Sequence, residues 1–150
     1  MYSRILLPLD GSPLAEQALP HAVTLAETFQ AELILLKVLP PLPGKLHLYR
    51  EALRIAEEGR REMAGKYLDC VAQSIQERDI PTRVEIIDGH PHAEIAQFAE
   101  RENIDLIVIC SRGQSGLSRW LMGSVADRVA RGVSIPVLLV RAQKGEILVA

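Results

Sequence analysis

The residues best suited to bind a ligand lie in a glycine-containing segment between an apolar run and a predicted helix. Gly113, Gly116 and Gly123 in this segment let backbone N–H groups approach a ligand closely, because glycine has no side chain. A helix that begins near Ser124 adds unpaired backbone donors and the positive end of the helix dipole. The segment is therefore predicted to bind an anion such as phosphate.

The same segment also allows an interpretation that needs no ligand. The residues from Ser124 to Asp127 match a helix-capping pattern, in which the Ser124 hydroxyl would satisfy the free donors of its own helix. The two standard phosphate motifs are missing, because the chain has no GxxxxGK[ST] and no GxGxxG after its first apolar run. This excludes an ordinary P-loop or dinucleotide-binding protein and leaves both interpretations of the segment open.

A carboxylate follows the first apolar run. Asp10 comes directly after residues 5–9 and before Gly11 and Ser12. Ligands of open α/β sheets bind beyond the carboxyl ends of the strands, which favours a binding role for Asp10. Aspartate before Gly-Ser also commonly bonds the backbone of its own turn. The sequence alone does not decide between these two roles.

Apolar runs that are typical of buried strands alternate with helical patterns along the chain. The predicted strands are residues 5–9, 32–39, 82–87, 105–109 and 135–140. The predicted helices are one bent helix over residues 13–29, a long amphipathic helix over residues 46–78, a short helix after Pro91 and a helix over residues 124–131. Ser12 and Pro13 have the types favoured at a helix start, and Pro20 is expected to bend the first helix. This alternation predicts a mostly parallel sheet covered by helices on both faces.

Composition limits the classes of protein to which the chain can belong. Its 150 residues, 48% hydrophobic and 24% charged, predict one ordinary globular domain over residues 1–150. The net charge of −2 gives no general attraction to nucleic acid, and no apolar run approaches the length needed to span a membrane. Cys70 and Cys110 are far apart and are predicted to be reduced thiols. We therefore expect a cytoplasmic protein that interacts with neither nucleic acid nor membranes.

The ordered segments of the chain resemble the universal stress protein family. Nucleotide-binding members of that family carry Gly-x2-Gly-x9-Gly followed by Ser or Thr. Gly113, nine residues, Gly123 and Ser124 match this pattern, whereas Cys110 stands at its first glycine. The resemblance covers nearly the whole chain and includes residues 5–12, 35–38, 89–91, 105–108 and 134–140.

This resemblance implies that the chain binds ATP, or another adenine nucleotide, with Mg²⁺. Asp10 would face the ribose or a phosphate-bound Mg²⁺, and Val38 would offer backbone atoms to adenine. Residues 110–116 would wrap the ribose and the α- and β-phosphates, and residues 123–125 would hold the distal phosphates. The expected nucleotide-binding residues are Pro8, Leu9, Asp10, Val38, Cys110, Ser111, Arg112, Gly113, Ser115, Gly116, Gly123, Ser124 and Val125.

The predicted fold class is a single-domain α/β fold with an open parallel five-stranded sheet, helices on both faces and strand order 3-2-1-4-5. It is Rossmann-like and of the adenine nucleotide alpha hydrolase type. The part of the last predicted strand from Pro136 to Val140 is apolar and is expected at an exposed sheet edge. We therefore predict a homodimer through this strand, a prediction that the family resemblance also supports, with residues 147–149 extending the contact.

Three other functions remain open at this point. A family member without nucleotide binding would act through protein contacts, and Cys110 in place of glycine is the feature that favours it. A slow ATPase would need a base paired with a nucleophile near the glycines, and none is seen. A phosphoacceptor receiver domain would use Asp88, but Arg141 stands where a lysine is needed. His90 and His92 lack a third metal ligand nearby and are predicted to lie in an exposed loop.

Overall fold

The computed structural model describes residues 1–44, 49–111 and 123–143, and five strands of these residues form one parallel sheet. The strands are β1 Arg4–Pro8, β2 Glu32–Leu39, β3 Thr82–Asp88, β4 Leu106–Cys110 and β5 Val137–Val140. Their order across the sheet is β3-β2-β1-β4-β5, and every neighbouring pair is parallel. The predicted fold class and strand order are confirmed.

Strand β1 lies at the centre of the sheet because its side chains are apolar on both faces. Ile5, Leu6 and Leu7 are each 0% exposed. On one side β1 pairs with β2, from Arg4 opposite Glu32 to Pro8 opposite Leu36, and on the other side it pairs with β4. A strand without alternating polar residues can only be stable where helices cover both of its faces.

Successive residues of β1 contact two different layers of helices. Ile5 and Leu7 pack in the core with helices α1 Pro13–Glu16, α2 Leu19–Phe29 and α3 Arg50–Ser74. Leu6 packs in a second core with helices α4 Pro91–Arg101 and α5 Ser124–Gly132. This distribution follows from the two-residue period of a strand, which sends neighbouring side chains to opposite faces.

The prediction of one bent helix over residues 13–29 is wrong, because the structure has two helices there. The N–H groups of Gln17 and Ala18 bond to carbonyls three residues back, which tightens the chain at the end of α1. Pro20 has no N–H to continue the α-helical ladder. In the first turn of a new helix this missing donor costs nothing, and Pro20 indeed lies in the first turn of α2.

Helix α3 is shorter than the prediction for residues 46–78. It begins at Arg50 after a non-helical Tyr49 and ends at Ser74, and a single 3-10 turn, Gln76–Arg78, follows. Residues 45–48, at which the prediction began, lie outside the described residues. Although α3 is the longest helix that the structure describes, neither it nor any other helix in these residues is apolar enough to cross a membrane.

The two edge strands differ in what their side chains contact. On β3, Arg83 forms ion pairs with Glu32, Glu85 and Glu102 at 3.6, 3.4 and 3.0 Å. On β5, by contrast, Leu138 and Leu139 are 37% and 36% exposed. The strand order places β5 at a sheet edge, as predicted, and β5 presents partly exposed apolar side chains there.

Candidate functional site

A cleft opens at the edge of the sheet where the carboxyl ends of the parallel strands meet. The chain leaves β1 toward α1 on one face and resumes after β4 in α5 on the other face. The two connections diverge there, and ligands of open α/β sheets bind at such a point. The cleft has a volume of about 630 Å³. It is lined by residues 8–11, 36–40, 109–110 and 123–126 and by one residue of α1, four of α3 and two of α4.

One wall of the cleft is the first turn of α5. Gly123 precedes this helix with φ −54° and ψ 141°, and among the residues that the structure describes no side chain caps the helix start. Of the two interpretations of this segment, the one in which the Ser124 hydroxyl caps its own helix is wrong, because Ser124 is already the first helical residue and the capping position is held by a glycine. The first-turn N–H groups and the positive dipole end of α5 therefore lie at the cleft, which residues 123–126 line.

Asp10 makes its own turn and lines the cleft at the same time. Its Oδ1 accepts a hydrogen bond from the N–H of Ser12 at 2.8 Å. The Ser12 hydroxyl in turn accepts a bond from the N–H of Ala15 at 3.1 Å, which caps α1 as predicted. Gly11 completes the turn with φ +90°, a conformation that side-chain-bearing residues rarely adopt. The turn holds the exposed Asp10 carboxylate at the rim of the cleft.

Lys37 is a cleft residue that the sequence analysis missed. Its ammonium donates a hydrogen bond to the Asp10 carbonyl at 2.7 Å and lies 5.4 Å from the centre of the Tyr67 ring. The Tyr67 hydroxyl donates to the Glu16 carboxylate at 2.8 Å. These contacts connect the loop after β1 with β2, α3 and α1.

Burial and nearby charges shift the pKa of Lys37 and the pKa of Tyr67. The pKa of Lys37 is lowered from its ordinary value, mainly by burial. The Asp10 carboxylate partly offsets this shift, and the nearby Arg60 guanidinium adds to it. For Tyr67, burial raises the pKa, and the bond to Glu16 and the charges of Glu16 and Asp10 raise it further. Tyr67 is therefore a neutral hydrogen-bond donor at any physiological pH.

The structure brings most of the predicted nucleotide-binding residues to the cleft. Those that line it are Pro8, Leu9, Asp10, Val38, Cys110, Gly123, Ser124 and Val125. Ser111 does not line the cleft; its N–H donates to the Val140 carbonyl at 2.8 Å and its carbonyl accepts from the Gly123 N–H. The predicted residues Arg112, Gly113, Ser115 and Gly116 lie outside the described residues.

Comparison with known protein families gives a match over almost the whole chain. The model of the universal stress protein family matches residues 1–141. Universal stress protein MJ0531 of Methanocaldococcus jannaschii is 35% identical over 153 residues, which cover 97% of this chain and 86% of that protein.

Solved structures show the same fold. The structure of MJ0577, also from Methanocaldococcus jannaschii, has a TM-score of 0.83 and 30% identity and covers 97% of this chain and 99% of its own. A universal stress protein family protein of Arabidopsis thaliana with AMP bound has a TM-score of 0.64 at 16% identity, with 95% of this chain and 93% of its own covered. A universal stress protein in complex with cAMP has a TM-score of 0.64 at 22% identity and covers 95% and 98%.

The turn at Gly11 supplies a stability prediction with a matched control. Gly11→Ala should lower the free energy of unfolding by about 1–3 kcal/mol, because alanine is strained at positive φ. Its Cβ would also lie 3.2 Å from the Lys37 ammonium. Gly59→Ala, inside α3 with no atom near the new Cβ, should instead raise stability by about 0.5–1 kcal/mol. Urea unfolding measures both changes, and an unaffected Gly11→Ala variant would contradict the account of the turn.

Proposed function

The chain belongs to the universal stress protein family, and on this basis we propose that it binds an adenine nucleotide, ATP with Mg²⁺, in the cleft. In this proposal the protein is a cytoplasmic regulatory module whose state changes with the nucleotide, and it is not primarily an enzyme. Related structures with AMP and with cAMP bound support the class of ligand.

The observation that carries the proposal is the first turn of α5 beside the cleft, which no side chain of the described residues caps. The first N–H groups of a helix need acceptors, and a cap residue usually provides one through its side chain. Gly123 cannot do this, so a phosphate group would satisfy donors for which the described residues provide no side-chain cap. Asp127 adds a negative charge in the first turn of α5, but its carboxylate forms an ion pair with Arg131 at 2.8 Å.

In the proposed complex the nucleotide lies across the carboxyl ends of β1 and β2. Val38 offers its backbone to adenine, Asp10 faces the ribose, and the phosphates extend to residues 123–125. The cleft suits a ligand of this size, since pockets for small molecules and cofactors usually have volumes of about 300–1,000 Å³. Apolar side chains such as Ile95 and Leu39 line it and would contact the base.

The residues present also fit a magnesium ion carried by the nucleotide. Mg²⁺ keeps several waters and is usually bound through one or two carboxylates together with substrate phosphates. Asp10 offers such a carboxylate, because its side chain is exposed at the cleft. The turn holds this carboxylate in place through a hydrogen bond to Oδ1. When bound, the ion would neutralise phosphate charge next to Asp10.

Cys110 is the residue that favours the alternative, a family member without nucleotide binding. It stands where the family pattern has a glycine, and it is buried at the end of β4 with 6% of its surface exposed. Its side chain packs with the core on the α1–α3 face, which leaves the opposite wall of the cleft to α5. This position is compatible with a nucleotide held from the α5 side.

Calorimetric titration with ATP and Mg²⁺ tests the proposal. We expect one nucleotide to bind per chain, and Gly123→Val to weaken binding by about tenfold or more, because its side chain would block access to the first turn of α5. Gly132→Val, at the other end of α5 with open space around its Cβ, is the matched control and should bind normally. No binding at millimolar ATP would support the nucleotide-independent alternative.

We also propose that two copies associate through β5, the strand that follows Pro136 and ends at Val140. An exposed strand edge presents unpaired N–H and C=O groups, and here Leu138 and Leu139 add partly exposed apolar side chains. Pairing of the two β5 edges would satisfy these groups and cover the leucines.

Sedimentation at micromolar concentration tests this second proposal. The protein should sediment as a dimer, and Leu138→Lys should shift it toward the monomer by placing like charges in the contact. Ile55→Lys on α3, which replaces a side chain that is 58% exposed, should leave the dimer intact. A monomeric unmodified protein would overturn the proposal.

A further inference from the structure

The cleft extends beyond the residues assigned to the nucleotide. Its α3 side is lined by Arg60, Met63, Ala64 and Tyr67 of that helix, together with Lys37 of β2. Lys37 belongs to the strand that carries Val38, but neighbouring strand residues point to opposite faces of a sheet. This side of the cleft therefore lies across from the first turn of α5.

Two cations on this side are held by backbone carbonyls. The Lys37 ammonium donates to the Asp10 carbonyl, and the Arg60 guanidinium donates to the Pro40 carbonyl, each at 2.7 Å. Asp10 and Pro40 follow the adjacent strands β1 and β2. Both cations are thus held over the same edge of the sheet.

Within the described part of the chain, neither Lys37 nor Arg60 has a carboxylate within ion-pair distance. Other cations of α3 do form ion pairs. On that helix Arg54 pairs with Glu51 and Glu58, and Lys66 pairs with Glu62 at 2.6 Å. Glu16, which lies close to this side of the cleft, accepts the Tyr67 hydroxyl. Asp10 is near enough to raise the pKa of Lys37, and the positive charge of Arg60 acts in the opposite direction. An anionic group between the two cations would relieve their repulsion.

We propose that Lys37 and Arg60 form a second anion-binding subsite, which selects adenine nucleotides with an additional phosphate on the ribose 2′ or 3′ hydroxyl. This inference rests on the proposed function. With adenine at Val38 and the 5′-phosphates at α5, the ribose lies beside Asp10, whose carbonyl holds Lys37. A phosphate on the ribose would point away from α5 and toward the α3 side.

The chemistry of the two side chains suits a phosphate. The ammonium of Lys37 has three donors, of which the Asp10 carbonyl uses one. The planar guanidinium of Arg60 can present two parallel donors to a phosphate. Because both cations are held over the same edge of the sheet, by the carbonyls of Asp10 and Pro40, one phosphate would contact both in this proposal.

Calorimetry with three nucleotides tests the inference: AMP, adenosine 3′,5′-bisphosphate and adenosine 2′,5′-bisphosphate. We expect one bisphosphate to bind about tenfold more tightly than AMP. The measured quantity is the ratio of the two dissociation constants. Lys37→Met and Arg60→Gln should each bring this ratio close to one. Lys66→Met, which removes an exposed, ion-paired cation from α3, should leave the ratio as it is in the unmodified protein.

The outcomes separate this inference from the proposed function. AMP binding without any gain from a ribose phosphate overturns the inference and leaves the proposed function in place. A gain that survives both Lys37→Met and Arg60→Gln overturns the assignment to these residues. Failure of all three nucleotides to bind overturns the inference, and if ATP with Mg²⁺ does not bind either, the proposed function fails with it. Thermal unfolding of each variant shows whether it is folded. If Lys37→Met does not fold, the ratio measured for Arg60→Gln tests the inference by itself.

Discussion

The burial of β1 on both faces is the constraint on which the rest of the structure depends. Ile5, Leu6 and Leu7 have no exposed surface, so this strand must lie inside a sheet with helices above and below it. Parallel neighbours on both sides then require crossover connections. The chain leaves β1 on the α1 side and continues after β4 on the α5 side, so the two connections diverge. The cleft is the consequence of that divergence.

The charges around the cleft follow from the same arrangement. The first-turn N–H groups of α5 lie on one side, Lys37 and Arg60 lie on the other, and the Asp10 carboxylate lies at the rim between them. A site with positive groups on two sides and an apolar floor suits a ligand with a flat uncharged base and separate anionic groups. The turn at Gly11 and the Lys37 bond to the Asp10 carbonyl hold this arrangement together.

The sequence predicts the strands well because an unbroken apolar run has few alternatives in a chain of this composition. It predicts the α5 side of the site, where glycines and a helix start are adjacent in sequence. The helix break near Pro20 was missed, because a proline signals a disturbance without showing whether the helix bends or restarts. Lys37 was missed for a different reason. It lies within an apolar run, and its partner carbonyl at Asp10 is 27 residues away, a contact that only the strand pairing creates. Arg60 and Tyr67 belong to a helix that the sequence predicts only as amphipathic, and that pattern does not show which of its residues line the cleft.

The most direct test of the central claim is an NMR titration of the labelled protein with ATP and Mg²⁺. If the nucleotide binds at the carboxyl ends of the strands, the largest amide shift changes will fall on Val38, Gly123 and Ser124. Changes that cluster instead at the opposite edge of the sheet, around Glu32 and Glu102, would contradict the account. The absence of any change at saturating nucleotide would contradict it as well.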